Sequence, residues 1–348
     1  MSVVRVVACV CASVAVLSIP LPAGDLPTLA GTPPKSRVVI VEDPRATIAF
    51  EAQPDIVKIM VDRGILKLAG KSDLKQAWRT MVSPKDTVGI KVFSGPGPHS
   101  GTRPAVVAAV VEGLLKAGLP PSHIIIWDRR LQDLRWSGFD DLARRYHVRV
   151  EGAMDVGYDE EVFYDKNPII GTLVAGDLDF DRNGKTSGRV SYVTKILTKE
   201  VTKIINVSPL LNHNLAGVSG NLFSLAMGSV DNTIRFEPSA ERLATAVPEI
   251  YALPALSDHV VLNIMDALIG QYQGEQMSLL HYSVQLNQIW FSKDPVALDI
   301  LAIQELDRER KVRKIDPGND NPDLYRNASF YLELGAGELG KIRIENVK

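Results

Sequence analysis

Cysteine is almost missing from this 348-residue chain. It has two, Cys9 and Cys11, and both lie within the leading segment "MSVVRVVACVCASVAVLSIPL". If that segment is removed, no cysteine remains. That excludes disulfides, thiolate zinc sites, iron–sulfur clusters and cysteine nucleophiles. An excess of basic charge is missing as well. Lys and Arg total 39 against 41 Asp and Glu, for a net charge of -2, which argues against a nucleic-acid partner or a membrane-surface role. Several motifs are absent too. There is no Gly-x-Ser-x-Gly elbow, no His-x-x-x-His spacing, and no Gly-Lys-Ser/Thr ending a glycine loop.

The leading segment holds the one strongly apolar stretch. It carries an early cation at Arg5, is broken at Pro20 and is followed by Ala23 and Gly24. This is the pattern of a signal peptide over residues 1–24, with a short membrane anchor or a wrong start codon as alternatives. The expectation is an exported protein, periplasmic or extracellular, with no stable membrane span once the signal is gone. Residues 25–36 are rich in Pro and Gly and read as a linker.

Beyond the linker, strand and helix patterns alternate. "RVVIVE" (37–42), "TVGIKVF" (87–93) and "HIIIWD" (123–128) are β-branched runs. Asp55–Ala69, residues 72–82 and "RPAVVAAVVEGLLKAG" (103–118) have helical spacing, the last with Pro104 near its start and Gly118 at its end. Alternation fades from about 130 to 188. It returns in "VTKIINVS", "HVVLNIMDA", "NQIWFS", a helix over 294–310 that opens on Asp294 and Pro295, a last short helix in "SFYLELGAGELG" and a closing strand in "KIRIENV". The expected fold is α/β, a layered and mostly parallel sheet flanked by helices with an irregular inserted region. Two lobes, about 37–150 and 190–348, would be joined by the irregular 151–189.

In such a sheet, ligands bind at the carboxyl ends of the strands. "GIKVFSGPGPHSGTRP" places Lys91 near a strand end, then a loop with Gly95, Gly97 and Gly101, then a helix start. Backbone amides and a helix N-terminus favour an anion there, with Lys91, His99, Ser100, Thr102 and Arg103 as added donors. The alternative is a βα turn that simply requires glycine. Asp128 and Asp266 each follow a strand and serve as a ligand or base, or else cap a turn. "LLNHNLAGVSGNLFSLAMGSVDN" (210–232) mixes amides, glycines and a histidine with large apolar residues. We read it as a βα loop in which the apolar residues anchor while Asn212, His213, Asn214, Asn221 and Asp231 face a cleft. The alternative is a buried loop whose asparagines satisfy its own backbone. "DLDFDRNGKTSGRV" (177–190) opens like a calcium loop at Asp179, Asp181, Asn183 and Gly184, but the twelfth position is Val190 rather than Glu, and a hairpin turn at Asn183-Gly184 is the better reading.

"VGIKVFSGPGPHSGTRPAVVAAVVEGLLKAG", "IIIWD", "HNLAGVSGNLFSLAMGSVDN", "VVLNIMDALIGQYQG" and "FSKDPVALDILAIQEL" occur in that order. Together they resemble the DUF362 family, from roughly Arg37 to the C-terminus. The resemblance implies the fold and the location of the site, but no activity. Some relatives carry an appended iron–sulfur segment, which a chain without mature cysteine cannot. Relatives often carry lysines where this chain has Leu211 and Phe223. The resulting expectation is an exported enzyme acting on a small anionic or polyhydroxylated substrate. His213 would be the acid/base, Lys91 and the 95–103 loop would hold an anion, and Asp128 and Asp266 would orient His213 or help hold a divalent cation. The alternative is a non-catalytic exported protein that binds a ligand or metal.

Overall fold

The computed structural model describes residues 36–166, 190–274 and 277–348. The signal peptide, the linker up to residue 35 and the calcium-like turn at 179–184 lie outside the described residues.

The strands are β1 (Ser36–Glu42), β2 (Thr47–Ile48), β3 (Glu51–Ala52), β4 (Val88–Val92), β5 (Ile124–Asp128), β6 (Arg149–Gly152), β7 (Tyr158–Tyr164), β8 (Ser191–Thr194), β9 (Lys203–His213), β10 (Gly217–Val218), β11 (Val260–Gln271), β12 (Ser283–Ser292) and β13 (Ile342–Val347). One sheet of nine strands runs β13-β1-β12-β11-β9-β4-β5-β6, with β10 paired to β9. Along that path β12 alone runs against its neighbours. The mostly parallel α/β architecture expected from the alternation is therefore the one observed. β2 with β3 and β7 with β8 form separate antiparallel pairs.

Parallel strands must be covered on both faces, because their helical crossovers lie over the sheet. Every residue of β4 and β5 is buried. Val88, Ile90, Val92, Ile124 and Ile126 pack against helices Pro54–Ala69 and Pro104–Ala117. Ile125, Trp127 and Ile204 face the other way, toward helices Asn221–Ser229, Ala240–Tyr251 and Pro295–Val312. Helices Pro54–Ala69 and Pro104–Ala117 end as their glycines require, with Gly70 at φ 63 and Gly118 at φ 97, both left-handed.

The chain departs from its local pattern in several places. The charged stretch after residue 130 forms two short helices, Leu131–Trp136 and Phe139–Tyr146. The helix expected over 72–82 is shorter, Leu74–Arg79, and opens on Asp73, whose carboxylate accepts from the Gln76 amide. The last short helix lies earlier than expected, at Pro322–Arg326, and runs on into a turn at Asn327–Tyr331, with a separate turn at Leu339–Lys341. β9 does not end near Ser208 but continues to His213, because its far half pairs with both β11 and β10. Among the described residues, no helix is long and apolar enough to cross a membrane.

The strand order reverses between β4 and β9. β5 and β6 are laid down on one side of β4, and the chain then returns to place β9 on the other. That reversal opens a crevice at the carboxyl ends of the two strands, the general location of ligand sites in such sheets.

Candidate functional site

Strand alternation points Lys91 to the same face as Trp127 of β5 and Asn206 of β9, its register partners. The side chain is completely buried. A buried ammonium must use all its donors, and this one does. Its Nζ donates to Val92 O at 2.6 Å and to Ser224 Oγ at 3.2 Å, and pairs with Asp128 Oδ1 at 2.9 Å. The rings of Phe93 and Trp127 lie 5.8 and 5.6 Å away. Burial pushes the Lys91 pKa down, and Asp128 opposes that shift. The second carboxylate oxygen of Asp128 accepts from the Ser94 amide at 2.7 Å and the Ser94 hydroxyl at 2.6 Å.

Lys91 has room only because residue 228 is glycine. A Cβ there would lie 2.1 Å from Lys91 Cε and 2.8 Å from Nζ. Gly228 belongs to helix Asn221–Ser229, all nine of whose residues are buried. The N-terminus of that helix is capped from a distance. Asp299, on helix Pro295–Val312, accepts from the amides of Asn221 at 2.6 Å and Leu222 at 3.0 Å. Burial raises the Asp299 pKa to about 7 against those hydrogen bonds.

Above Asp128 lies a cleft of about 310 Å³, walled by Phe93, Phe223 and Met227 and edged by Arg129, Arg130, Asp133 and Glu237. With Lys91 beneath, three cationic groups face three carboxylates, so the formal charges cancel. Arg129 is held across the top. Its Nη1 donates to Thr233 Oγ1 at 2.8 Å and its Nη2 to Asp231 O at 2.9 Å, with Glu237 at 3.6 Å. Burial raises the Asp133 pKa, against the pull of Arg130.

The glycine loop does not offer an anion the donors expected of it. Lys91 is saturated. Arg103 pairs with Asp266 at 3.1 Å, its amide donates to the same carboxylate at 2.9 Å, and its Nη2 donates to His99 O and Ile269 O. Ser100 donates to Gln271 Oε1, and Thr102 to Val207 O. These contacts lock the loop to β9 and β11. The glycines serve the turn: a Cβ on Gly101 would lie 2.7 Å from Phe93 O and from Gly97 O. Only Gly95 of this loop lines the cleft, while His99 is half exposed, 4.0 Å from Glu51.

The polar residues of 210–232 are likewise turned inward, except Asn214, which is exposed. His213 Nδ1 accepts from the amides of Leu215 at 3.2 Å and Ala216 at 3.0 Å, and its ring lies 4.2 Å from that of Phe223. Burial lowers its pKa to about 4, so it is a neutral turn cap rather than a base poised near neutrality. Asn212 bonds Arg310 and Asn214. Asn221 joins Asp299 and Asn206, and Asp231 accepts from the amides of Tyr192 and Asn232. The assignment made from sequence is reversed: the apolar Phe223 and Met227 reach the cleft, His213 and Asp231 hold backbone amides, and Asn212 and Asn221 bond buried side chains.

Nor do Asp128 and Asp266 converge. β4 and β9 lie between their strands, which separates them by roughly three strand spacings, about 14 Å, so they cannot share one cation. Each faces its own cation, Lys91 or Arg103. Among the described residues, no group of three or more His, Cys, Asp or Glu side chains could hold a metal ion. The residues that local reading passed over are Ser94, Arg129, Ser224, Gly228 and Asp299. Ser94, Ser224 and Gly228 sit in the two stretches that drew attention, but none of them was singled out.

Fold and site together define an α/β protein with a crevice at the topological switch of its sheet. The chain belongs to the DUF362 family: the model of that domain of unknown function matches residues 88–304. Among solved structures, the crystal structure of a structural-genomics target protein from Thermotoga maritima is similar at 12% identity and a TM-score of 0.41, over 76% of this chain and 60% of that one. The chain thus spans less than two thirds of that protein. No curated protein matches it.

Proposed function

We propose that this protein binds a small polyhydroxylated molecule in the cleft over Asp128. The observation that carries the reading is the composition of that cleft at the switch point. Aromatic and thioether walls (Phe93, Phe223, Met227) stand opposite guanidinium and carboxylate groups whose charges cancel. An apolar platform suits the C–H face of a ring or chain, and paired donors and acceptors of both signs suit vicinal hydroxyls. A strong anion would need a surplus of positive charge, which Asp128, Asp133 and Glu237 remove.

Gly95 provides the test. It lines the cleft, and a Cβ there would meet nothing within 4 Å, so Gly95→Trp fills the space without straining the backbone. A panel of sugars, sugar acids and polyols should include members that raise the melting temperature of the native chain. Gly95→Trp should melt normally and lose those shifts. Equal shifts in both proteins would place binding elsewhere.

A second reading, turnover, is favoured by the Lys91–Asp128 contact. It sets a carboxylate on the cleft floor beside an ammonium whose proton is loosened by burial, and such coupled pairs occur where protons are moved. NMR of a bound ligand incubated with protein would show product, absent with Asp128→Asn.

A further inference from the structure

Of the four tryptophans of the chain, Trp78, Trp127 and Trp290 are buried, whereas Trp136 is 63% exposed. An indole left in water is an unusual use of so large an apolar side chain. This one is held in place. It ends helix Leu131–Trp136, and its six-membered ring lies on Gly97 of the glycine loop. A Cβ on Gly97 would stand 2.6, 2.7 and 3.1 Å from three adjacent ring carbons, Cη2, Cζ3 and Cζ2. Such similar distances to neighbouring ring atoms describe contact with the face of the ring, because an approach along its edge would leave two of them well behind the third. Residue 97 must be glycine for this contact and for its left-handed backbone, at φ 81. One face of the indole is therefore covered by Gly97, and the other is open to solvent.

This platform adjoins the cleft along two routes. On the helix, Asp133 lines the cleft, and Trp136 stands one turn later on the same face, about 4.5 Å further along the axis. On the loop, Gly95 lines the cleft, and Gly97 carries the indole. Ser94 ties both to the cleft floor. Its amide and hydroxyl donate to Asp128, and its carbonyl accepts from the Gly97 amide at 2.8 Å and the Ser137 hydroxyl at 3.0 Å. The position of the indole is thus fixed relative to Asp128. Arg135, beside it in the chain, pairs with Asp140 at 3.2 Å, so the charge balance of the cleft extends to this rim.

We propose that Trp136 is an outer stacking subsite of the cleft, so that its ligands are short neutral oligosaccharides of glucose-type rings rather than single sugars. This rests on the cleft reading above and deepens it. One ring lies against Phe93, Phe223 and Met227, and the next stacks on the open face of Trp136. A glucose-type ring carries its hydroxyls equatorially, so its faces present C–H groups to an aromatic plane. A cleft whose charges cancel suits a ligand that carries none. Both platforms are set before binding, so little ordering accompanies it.

The test measures glucose, cellotriose and maltotriose by calorimetry on the full chain. The two trisaccharides share their rings and differ in linkage, so the tighter of them identifies the linkage. It should bind at least about tenfold more tightly than glucose, the scale of one aromatic contact. Trp136→Ala should bring that ratio to within about threefold of unity, and Trp136→Tyr should restore part of it. A merely structural tryptophan would weaken both ligands together and leave the ratio as it was. Acrylamide quenching of the native chain is a second readout that needs no variant. Trp136 is the accessible fluorophore, the other three tryptophans being buried; the tighter trisaccharide should shield it and glucose should not. A trisaccharide no tighter than glucose, a ratio unchanged in Trp136→Ala, or quenching unchanged at saturation would overturn the subsite and leave the cleft reading to the sugar and polyol panel. If glucose, both trisaccharides and every member of that panel fail to bind, both fall.

Discussion

Replacing Gly228 by Ala sets two effects of opposite sign against each other. In a helix interior, alanine is worth about 1 kcal/mol more than glycine, so helix Asn221–Ser229 taken alone would gain. The new Cβ, however, would stand 2.1 Å from Lys91 Cε and 2.8 Å from Nζ, with Asp128 Oδ1 at 3.4 Å. At an exposed site the far end of a lysine would swing aside at little cost. Here the side chain is completely buried and its three donors are taken by Val92, Ser224 and Asp128. Moving it strips Asp128 of its cation, and breaking a buried pair costs about 3–5 kcal/mol. We therefore expect a net loss of about 2–4 kcal/mol after the helix gain is subtracted. Urea unfolding of native and Gly228→Ala chains would measure it. In a Lys91→Leu/Asp128→Asn background, which has no Cε and no ion pair, the same substitution should cost less than about 1 kcal/mol, because the clash and the charge are both gone. A loss below about 1 kcal/mol in the native background, or an equal loss in both, would refute the claim that Gly228 exists to seat Lys91.

Three further outcomes follow from the same geometry. Asp266→Asn leaves the buried Arg103 guanidinium without its counter-charge and should destabilise by about 3–5 kcal/mol; if the glycine loop is a structural lock, the ligand-induced thermal shifts should survive in the folded fraction. Asp299→Ala removes the acceptor of two buried amides, at about 1–3 kcal/mol for each, read by denaturant titration, and a change under about 0.5 kcal/mol would deny the cap its role. His213 is neutral in the folded chain, its pKa depressed by burial from 6.5 to about 4. The unfolded chain takes up the proton first, so this contribution is complete above pH 6.5 and is lost as pH falls toward 4. It amounts to about 3 kcal/mol, and His213→Ala should flatten stability across that window.

The layers were legible in local pattern. β-branched runs such as "GIKVF" and "IIIWD", alternating with a helix bounded by Pro104 and Gly118, carry their structure in nearest-neighbour physics: burial on both faces, φ fixed by proline, a left-handed cap open to glycine. They also located the crevice, because strand ends in a parallel sheet collect at one edge. What local patterns could not decide was which way the side chains of 210–232 turn. A histidine, an asparagine and an aspartate look functional wherever they occur, yet His213 and Asp231 were drawn inward by backbone amides that would otherwise be buried without partners, and Asn221 by the carboxylate of Asp299. That demand arises only once β9 is extended by β10 and helix Asn221–Ser229 is sealed under the helix carrying Asp299. The pairing of Lys91 with Asp128 and Ser224 spans 37 and 133 positions of chain, and the hold on Arg129 by Thr233 and Asp231 spans more than 100. Charge pairing and hydrogen-bond satisfaction act through space, so tertiary structure alone decided which residues line the cleft and which hold it in place.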